Sequence, residues 1–351
     1  MSNSDQPLSR RDLARTAALG ATALGARALF AAARNDDVPK VGLYSITYQG
    51  VWYRGDALTL EQVVDRAKQF GYDGIEIDGK RPHGNPLDNN RNRCREIARY
   101  ARDHGIEIYA VAGNNDFSSP VPEHREAQLV YMRDLIRMTA DMNVKLLRVF
   151  AAWPGVTALP EGGATYDFAK PLWAAAHKDV PDERTWDWVR DGLRESTKYA
   201  HDAGVTLALQ NHPPVIHSYH DVLKLVHDID SPSLKVCFDA RIEKGATPET
   251  ILEGSRAVGP LQVLSHYGNE YTEENGHIKP RWDELAEPQV KGLLEIGYKG
   301  YLGFEYCHPV PVVDGKMAGL DFVDKNAKLA QKYMRDLIAT TKQQMKAGAN
   351  A

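Results

Sequence analysis

Leu207-Ala208-Leu209-Gln210-Asn211-His212 is the stretch whose reading decides the fold of this chain. Residues 206–210 are mostly apolar and strand-like, and they run into three polar side chains before Pro213 and Pro214. Three later stretches repeat the pattern: Lys235-Val236-Cys237-Phe238-Asp239, Val263-Leu264-Ser265-His266 and Leu302-Gly303-Phe304-Glu305. Each is a short apolar run ending on one residue able to bind a metal. The end residues are spaced by roughly 30, 30 and 40 positions, near the ~31 expected when about 250 residues make eight strand–helix units. Strand ends on one rim of a parallel barrel converge, so Gln210, Asp239, His266 and Glu305 are expected to act as four ligands of one site.

Working outward, the same alternation covers the rest of the chain. Strands are expected at 41–45, 74–78, 106–112, 146–150, 206–210, 236–239, 261–265 and 301–305. The first helix carries Leu58, Val63, Val64, Ala67 and Phe70 on one stripe and stops at Gly71. Further helices are expected over about 92–104, 123–142, 182–203, from Ser218 or His220 onward, 248–258, 283–296 and 322–346. Thr247 is a plausible cap for the helix that Pro248 opens. Residues 153–181, rich in Gly, Pro and aromatics, read as one long loop after strand four. Eight strands alternating with eight helices predict an α/β fold, a (β/α)8 TIM barrel in a single domain. An open doubly wound sheet usually needs a Gly-rich phosphate loop after strand one, and Ser45-Ile46-Thr47-Tyr48 is not one.

Composition narrows the function classes. The 351 residues include 43% hydrophobic and 26% charged residues, a soluble globular balance with ample core. The net charge of −4 leaves no bulk basic field for nucleic acid or anionic lipid. Three cysteines are too few for a disulfide framework, so free thiols are expected. At the N-terminus, Ser9-Arg10-Arg11-Asp12-Leu13 precedes a weakly apolar run to Ala33, broken by Arg27. This resembles a twin-arginine export signal with a small-residue cleavage site at Ala31-Ala32-Ala33. The expected organisation is a signal at 1–33, a linker at 34–39, the barrel at 40–346 and a tail at 347–351. Export to the periplasm follows from that reading, with a cytoplasmic location as the alternative. The segment is too weakly apolar for a stable membrane anchor.

Two carboxylates, one imidazole and one amide oxygen suit Mn²⁺, Mg²⁺, Co²⁺ or Zn²⁺. Taken singly, an Asp at a strand end is more often a helix cap or ion-pair partner, and the joint spacing is what favours a metal site. Other side chains just beyond strand ends are candidates for substrate contact: Asn114, Trp153, Arg241, Tyr267 and His308. His83, in Lys80-Arg81-Pro82-His83-Gly84, and His212 are candidates for acid–base work beside Glu305.

Gly71-Tyr72-Asp73-Gly74-Ile75-Glu76, the Gln210-Asn211-His212-Pro213 turn and the end residues Asp239, His266 and Glu305 resemble the sugar phosphate isomerase/epimerase family, of the xylose-isomerase-like TIM barrel superfamily. The resemblance spans about residues 40–340. It implies a divalent metal, often Mn²⁺, holding two adjacent sugar oxygens while a carboxylate moves a proton on the α-carbon. This chain departs from the pattern in several places. The family's first ligand is usually glutamate, and here it is Gln210, which cannot take a proton near neutral pH. Ile216 and Ile242 stand where ketose 3-epimerases tend to carry an acid and a histidine, and His266-Tyr267-Gly268-Asn269 replaces a common His-x-Lys-Asp. The departures argue against a simple ketose epimerase.

The expected function is therefore a metal-dependent sugar isomerase/epimerase-type enzyme acting on a keto-sugar or keto-glycoside through an enediolate, with Glu305 as base. With one base, β-elimination from a 3-keto-glycoside is the alternative, and the Lys-Arg-Pro-His loop would protonate the leaving group. A non-catalytic sugar-binding barrel and a metal-dependent endonuclease are the remaining readings; the acidic net charge and the four-ligand rim speak against the endonuclease. The expected partner is a small sugar or glycoside, with no nucleic acid, and the sequence leaves a homo-oligomer open.

Overall fold

The computed structural model describes residues 37–159, 163–282 and 285–349. The twin-arginine segment, 1–33, lies outside them, as does the expected start of helix seven at Asp283. Residues 38–351 form one compact unit. Its centre is a closed barrel of parallel strands: β1 (Lys40–Tyr44), β2 (Gly74–Asp78), β3 (Glu107–Ala112), β4 (Leu146–Val149), β5 (Thr206–Gln210), β6 (Leu234–Cys237), β7 (Gln262–Tyr267) and β8 (Tyr301–Phe304). Each strand pairs with the next in sequence, and β8 closes on β1 in the register Lys40↔Tyr301 to Leu43↔Phe304. The barrel topology is the expected one.

Parallel neighbours need crossovers, and helices supply them. They are α1 (Leu60–Phe70), α2 (Arg91–Asp103), α3 (Pro122–Asp141), α4 (Ala169–His177), α5 (Asp182–Ala203), α6 (Tyr219–Ile229), α7 (Pro248–Val258), α8 (Ala286–Glu295) and α9 (Leu320–Ala349). Local chemistry sets their ends. Thr59 and Gln62 form a reciprocal capping box on α1, and Gly71 ends it at φ 83°, a left-handed conformation that glycine adopts without a Cβ penalty. Thr247 caps α7 and Pro248 opens it. Among the described residues no helix is long and apolar enough to cross a membrane.

Three irregular segments differ from expectation. The loop after β4 carries a hairpin, Thr157–Ala158 with Ala164–Thr165, and then α4. Helix α4 buries none of its residues, and its Leu172 is exposed, so no core-facing stripe marks it. Trp173 Nε1 donates to Ser118 Oγ at 2.8 Å, and His177 Nε2 donates to the Ser118 carbonyl at 2.8 Å. Two further hairpins, Tyr271–Glu274 with His277–Pro280 and Val312–Val313 with Lys316–Met317, turn on Asn275-Gly276 and Asp314-Gly315. Both turn pairs have positive φ, the chemistry that two-residue hairpins demand.

The barrel interior is layered. Tyr109 and Tyr301 stack 3.9 Å apart, and Ala208, Cys237 and Leu264 pack with them. Tyr109 reaches this layer because the β2–β3 register slips between Ile75 and Glu76. Gly42 leaves the space that its ring fills: a Cβ there would lie 2.4 Å from Tyr109 Cε1. Gly42→Ala is expected to cost about 1–3 kcal/mol by overpacking, read as a lower melting temperature. An unchanged melt would mean that the ring moves aside at no cost.

Candidate active site

Above that apolar layer the inward positions become polar. Glu76 on β2, Arg148 on β4, Gln210 on β5, His266 on β7 and Asp239, just beyond β6, form one buried network. Arg148 Nε donates to Glu76 Oε1 at 2.8 Å, and its Nη1 donates to Gln210 Oε1 at 2.9 Å. The Gln210 amide nitrogen donates to Asp239 Oδ2. The His266 ring sits between two carboxylates, with Nδ1 3.0 Å from Asp239 Oδ2 and Nε2 2.6 Å from Glu76 Oε2. The His266 backbone N–H donates to Asp239 Oδ1 at 2.6 Å, and Asn211 bridges the Asp239 backbone to Glu243.

The charges balance. Burial alone would raise the Glu76 and Asp239 carboxyls, but Arg148 and His266 beside Glu76, and His266 beside Asp239, hold both below the usual range. Burial alone would lower the His266 imidazole, but Glu76 and Asp239 outweigh it and keep the ring protonated well above its ordinary pKa. The two cations Arg148 and His266 thus offset the two anions. Tyr44 and Phe150 flank the Arg148 guanidinium at 4.6 and 5.4 Å.

Glu305 lies one residue past β8, and burial raises its carboxyl above the ordinary value. His266 and Arg148 pull it back only in part, while Asp239 and Glu76 push it further up. The same charges that meet in the network therefore act on Glu305. Cys237, Asp239 and His266 also place their ligand atoms close enough together to hold a metal ion. The Cys237 thiol is pushed up to about 12, by burial first and then Asp239, and stays protonated. Glu305 stands outside that cluster, and His266 as paired here has no free lone pair, so a divalent cation would first have to displace the proton that His266 holds between Glu76 and Asp239; the carboxylates of Asp239 and Glu305 and the freed imidazole are donors that suit such an ion. Gln210 belongs to the network, with its carbonyl oxygen turned to Arg148 and its amide nitrogen to Asp239.

The other expected site residues fall in three places. His212 stands against the network's rim: its ring meets Phe150 and Trp153 edge-on at 5.1 and 4.8 Å, and Trp153 stacks on Phe150 at 5.2 Å. Its Nδ1–H donates to the Pro213 carbonyl at 2.6 Å. Burial lowers it to about 4, so at neutral pH Nε2 keeps its lone pair. Asn114 donates to Asp78 Oδ1 at 2.9 Å, beside the Tyr44 hydroxyl at 2.6 Å and Lys80 Nζ at 3.6 Å from Oδ2. Arg241 and His308 line a separate rim cavity of about 400 Å³ with Glu270, Arg281 and Trp282.

Tyr267 and His83 are not brought to the network either. Tyr267 follows inward-facing His266 on the same strand, so it faces outward, and its hydroxyl donates to the Ala330 carbonyl of α9 at 3.2 Å. His83 is buried with both ring nitrogens engaged: Nε2–H donates to the Leu58 carbonyl at 2.9 Å, and Nδ1 accepts from Ser45 Oγ at 3.0 Å. Conversely, Arg148 and Glu76 were not among the expected site residues. The signal was in the sequence: strands of a parallel barrel are covered on both faces, so a charged side chain within one must find a partner.

The depressed His212 value carries a pH dependence. The unfolded chain takes up a proton near the ordinary 6.5, whereas the folded ring does so only near 4. Stability is therefore full above about pH 6.5 and falls as pH drops toward 4, by on the order of 2–3 kcal/mol. Denaturant midpoints between pH 7 and 4 should show this slope, and His212→Gln should flatten it; an equal slope in both proteins would refute the assignment.

Known proteins share this architecture. Fructoselysine 3-epimerase of Escherichia coli O157:H7 is 26% identical over 276 residues, 76% of this chain and 90% of that protein. The D-psicose 3-epimerase of Clostridium cellulolyticum H10, solved with D-tagatose, superposes with a TM-score of 0.64 at 20% identity, covering 85% of this chain and 99% of that one. The 3-keto-D-glucoside 4-epimerase of E. coli, in apo form, gives 0.58 at 18% identity, covering 87% and 99%. Residues 64–335 match the xylose isomerase-like TIM barrel family, and with the closed parallel barrel they establish that the chain belongs to it.

Proposed function

We propose that this chain is a divalent-metal-dependent isomerase- or epimerase-type enzyme that removes a proton beside the ketone of a keto-sugar or keto-glycoside. The observation that carries the reading is Glu305, a half-buried carboxyl one residue past β8 that feels the charges of His266, Arg148 and Asp239. Asp239, Glu305 and His266, once it has given up the proton it holds between Glu76 and Asp239, would hold the ion, with manganese as the first candidate. Bound there, a divalent cation supplies positive charge that stabilises an enediolate next to a ketone.

The chain's own residues do the rest. Glu305 in its ionised form accepts the α-proton. The Trp153–Phe150–His212 wall supplies aromatic faces for a sugar ring and excludes water. His212 Nε2, unprotonated at neutral pH, is a second acceptor on that wall.

A second reading, β-elimination from a 3-keto-glycoside, is favoured by Gln210. Where a second carboxylate would reprotonate the opposite face, this chain has an amide that cannot titrate. Lys80, held at the buried Asp78 carboxylate, is then the cation available to a leaving group. Export through the twin-arginine segment would suit a glycoside substrate, and recovery of the chain in the cytoplasm with residues 1–33 attached would count against it.

The test is proton exchange. Incubated with Mn²⁺ and 3-keto-glucosides in D₂O, the protein should put deuterium on the carbon beside the ketone, seen by NMR. A shifted carbonyl would identify isomerisation, and a freed aglycone elimination. Bound metal with no exchange on any keto-sugar would reduce the protein to a sugar-binding barrel.

A further inference from the structure

We infer that Arg148 prevents Gln210 from serving as a metal ligand, so that this residue offers the site an amide N–H instead of an oxygen. The inference rests on the metal-site reading above. The oxygen is the only atom of a carboxamide that ligates a hard divalent cation, since its nitrogen has no lone pair to give. That oxygen accepts from Arg148 Nη1 at 2.9 Å. On the other side the amide nitrogen donates to Asp239 Oδ2.

Both neighbours force this orientation. A guanidinium carries only donors, so a donor facing it would leave two N–H groups opposed and Gln210 Oε1 against a carboxylate. Arg148 itself cannot turn away without cost. Its Nε is tied to Glu76 at 2.8 Å, Glu76 in turn holds His266 Nε2 at 2.6 Å, and Tyr44 lies 4.6 Å from the guanidinium. All of these side chains are buried. A glutamate at position 210 would escape the conflict, because it could give one oxygen to Arg148 and still turn the other toward an ion. A glutamine has one oxygen, and here Arg148 holds it on the side away from Asp239, where the ion would sit.

The consequence is a site with three protein donors, Asp239, His266 and Glu305, and a fixed hydrogen-bond donor beside Asp239. Fewer protein oxygens on the ion leave more of its coordination sphere to the substrate, and an amide N–H that neither titrates nor ligates fits a substrate hydroxyl or carbonyl oxygen. Arg148 is here a positioning residue: it acts on the site through the Gln210 amide.

The experiment is NMR on the full chain with ¹³C,¹⁵N-labelled glutamine and ¹³C-labelled aspartate, assigned by Gln210→Asn and Asp239→Asn. Spectra are taken before and after Zn²⁺. With ¹⁵N-arginine added to the labelling, a scalar coupling across the hydrogen bond should join the Gln210 carboxamide carbon to Arg148 Nη1. Zn²⁺ should shift the Asp239 carboxyl carbon and leave the Gln210 carboxamide carbon in place. Arg148→Met should release the amide, so that Zn²⁺ then shifts both carbons. If Arg148→Met does not fold, the wild-type spectra decide alone. Absence of the coupling to Arg148, or a Gln210 carbon shift matching that of Asp239 in the wild type, would overturn the inference while keeping the metal reading. If Zn²⁺ shifts neither carbon, the metal reading fails, and the coupling still decides the amide's orientation.

Discussion

Glu305→Gln is expected to lower solvent-deuterium exchange into a keto-sugar by roughly 10²–10⁴-fold, the usual contribution of a positioned base. The substitution keeps the side chain's size and removes its ability to take a proton. Glu305 already sits in surroundings that penalise its charged form, so the neutral amide should fold at least as well. The loss should therefore come without a drop in melting temperature, which separates chemistry from misfolding. The wild-type profile adds a signature. The base works when ionised, so activity should fall on the acid side as pH drops through the pKa that Glu305 has in the metal-loaded protein, which the cation holds below its metal-free value. Full exchange by the Glu305→Gln protein would remove Glu305 as the base.

Arg148→Met should cost about 3–5 kcal/mol of folding stability, because it removes one partner of a buried ion pair and leaves the other charge unsolvated. Glu76 would lose its 2.8 Å contact to Nε, and Gln210 Oε1 would lose its 2.9 Å donor. His266 still faces Glu76, so part of the charge remains offset. The guanidinium also fills the space beside Tyr44 and Phe150, which the methionine covers only in part. Urea unfolding at pH 7 measures the effect. Glu76→Leu combined with Arg148→Met should recover some of the loss, since no uncompensated carboxylate then remains beyond Asp239 and its histidine. A single-mutant loss below about 1 kcal/mol would mean that water or His266 compensates Glu76 fully, contrary to a dry network.

The two predictions probe different links of one chain of cause. Arg148 fixes Glu76 and Gln210; Glu76 and Asp239 fix His266; and the balanced cluster sets the field in which Glu305 titrates. A change in Arg148 should thus alter both stability and the acid limb of activity, whereas Glu305→Gln should alter activity alone.

The sequence by itself determined the barrel. Each strand–helix unit is specified locally, by short apolar runs, by helix stripes such as Val63, Val64 and Ala67, and by stops such as Gly71 and Thr247-Pro248. It also determined that Gln210, Asp239, His266 and Glu305 stand at or just beyond strand ends, since strand ends are local features too. The Asn275-Gly276 and Asp314-Gly315 pairs carry hairpin-turn chemistry, but the hairpins they close were not among the expected elements. Only the tertiary structure decided which side chains meet. Glu76 and Arg148 are 72 positions apart and become partners only when the barrel closes. The direction of a side chain follows a two-residue period, so neighbouring His266 and Tyr267 part to opposite faces of one strand. The orientation of the Gln210 amide depends on a donor and an acceptor from two other strands, and no reading of residues 206–212 alone can supply them.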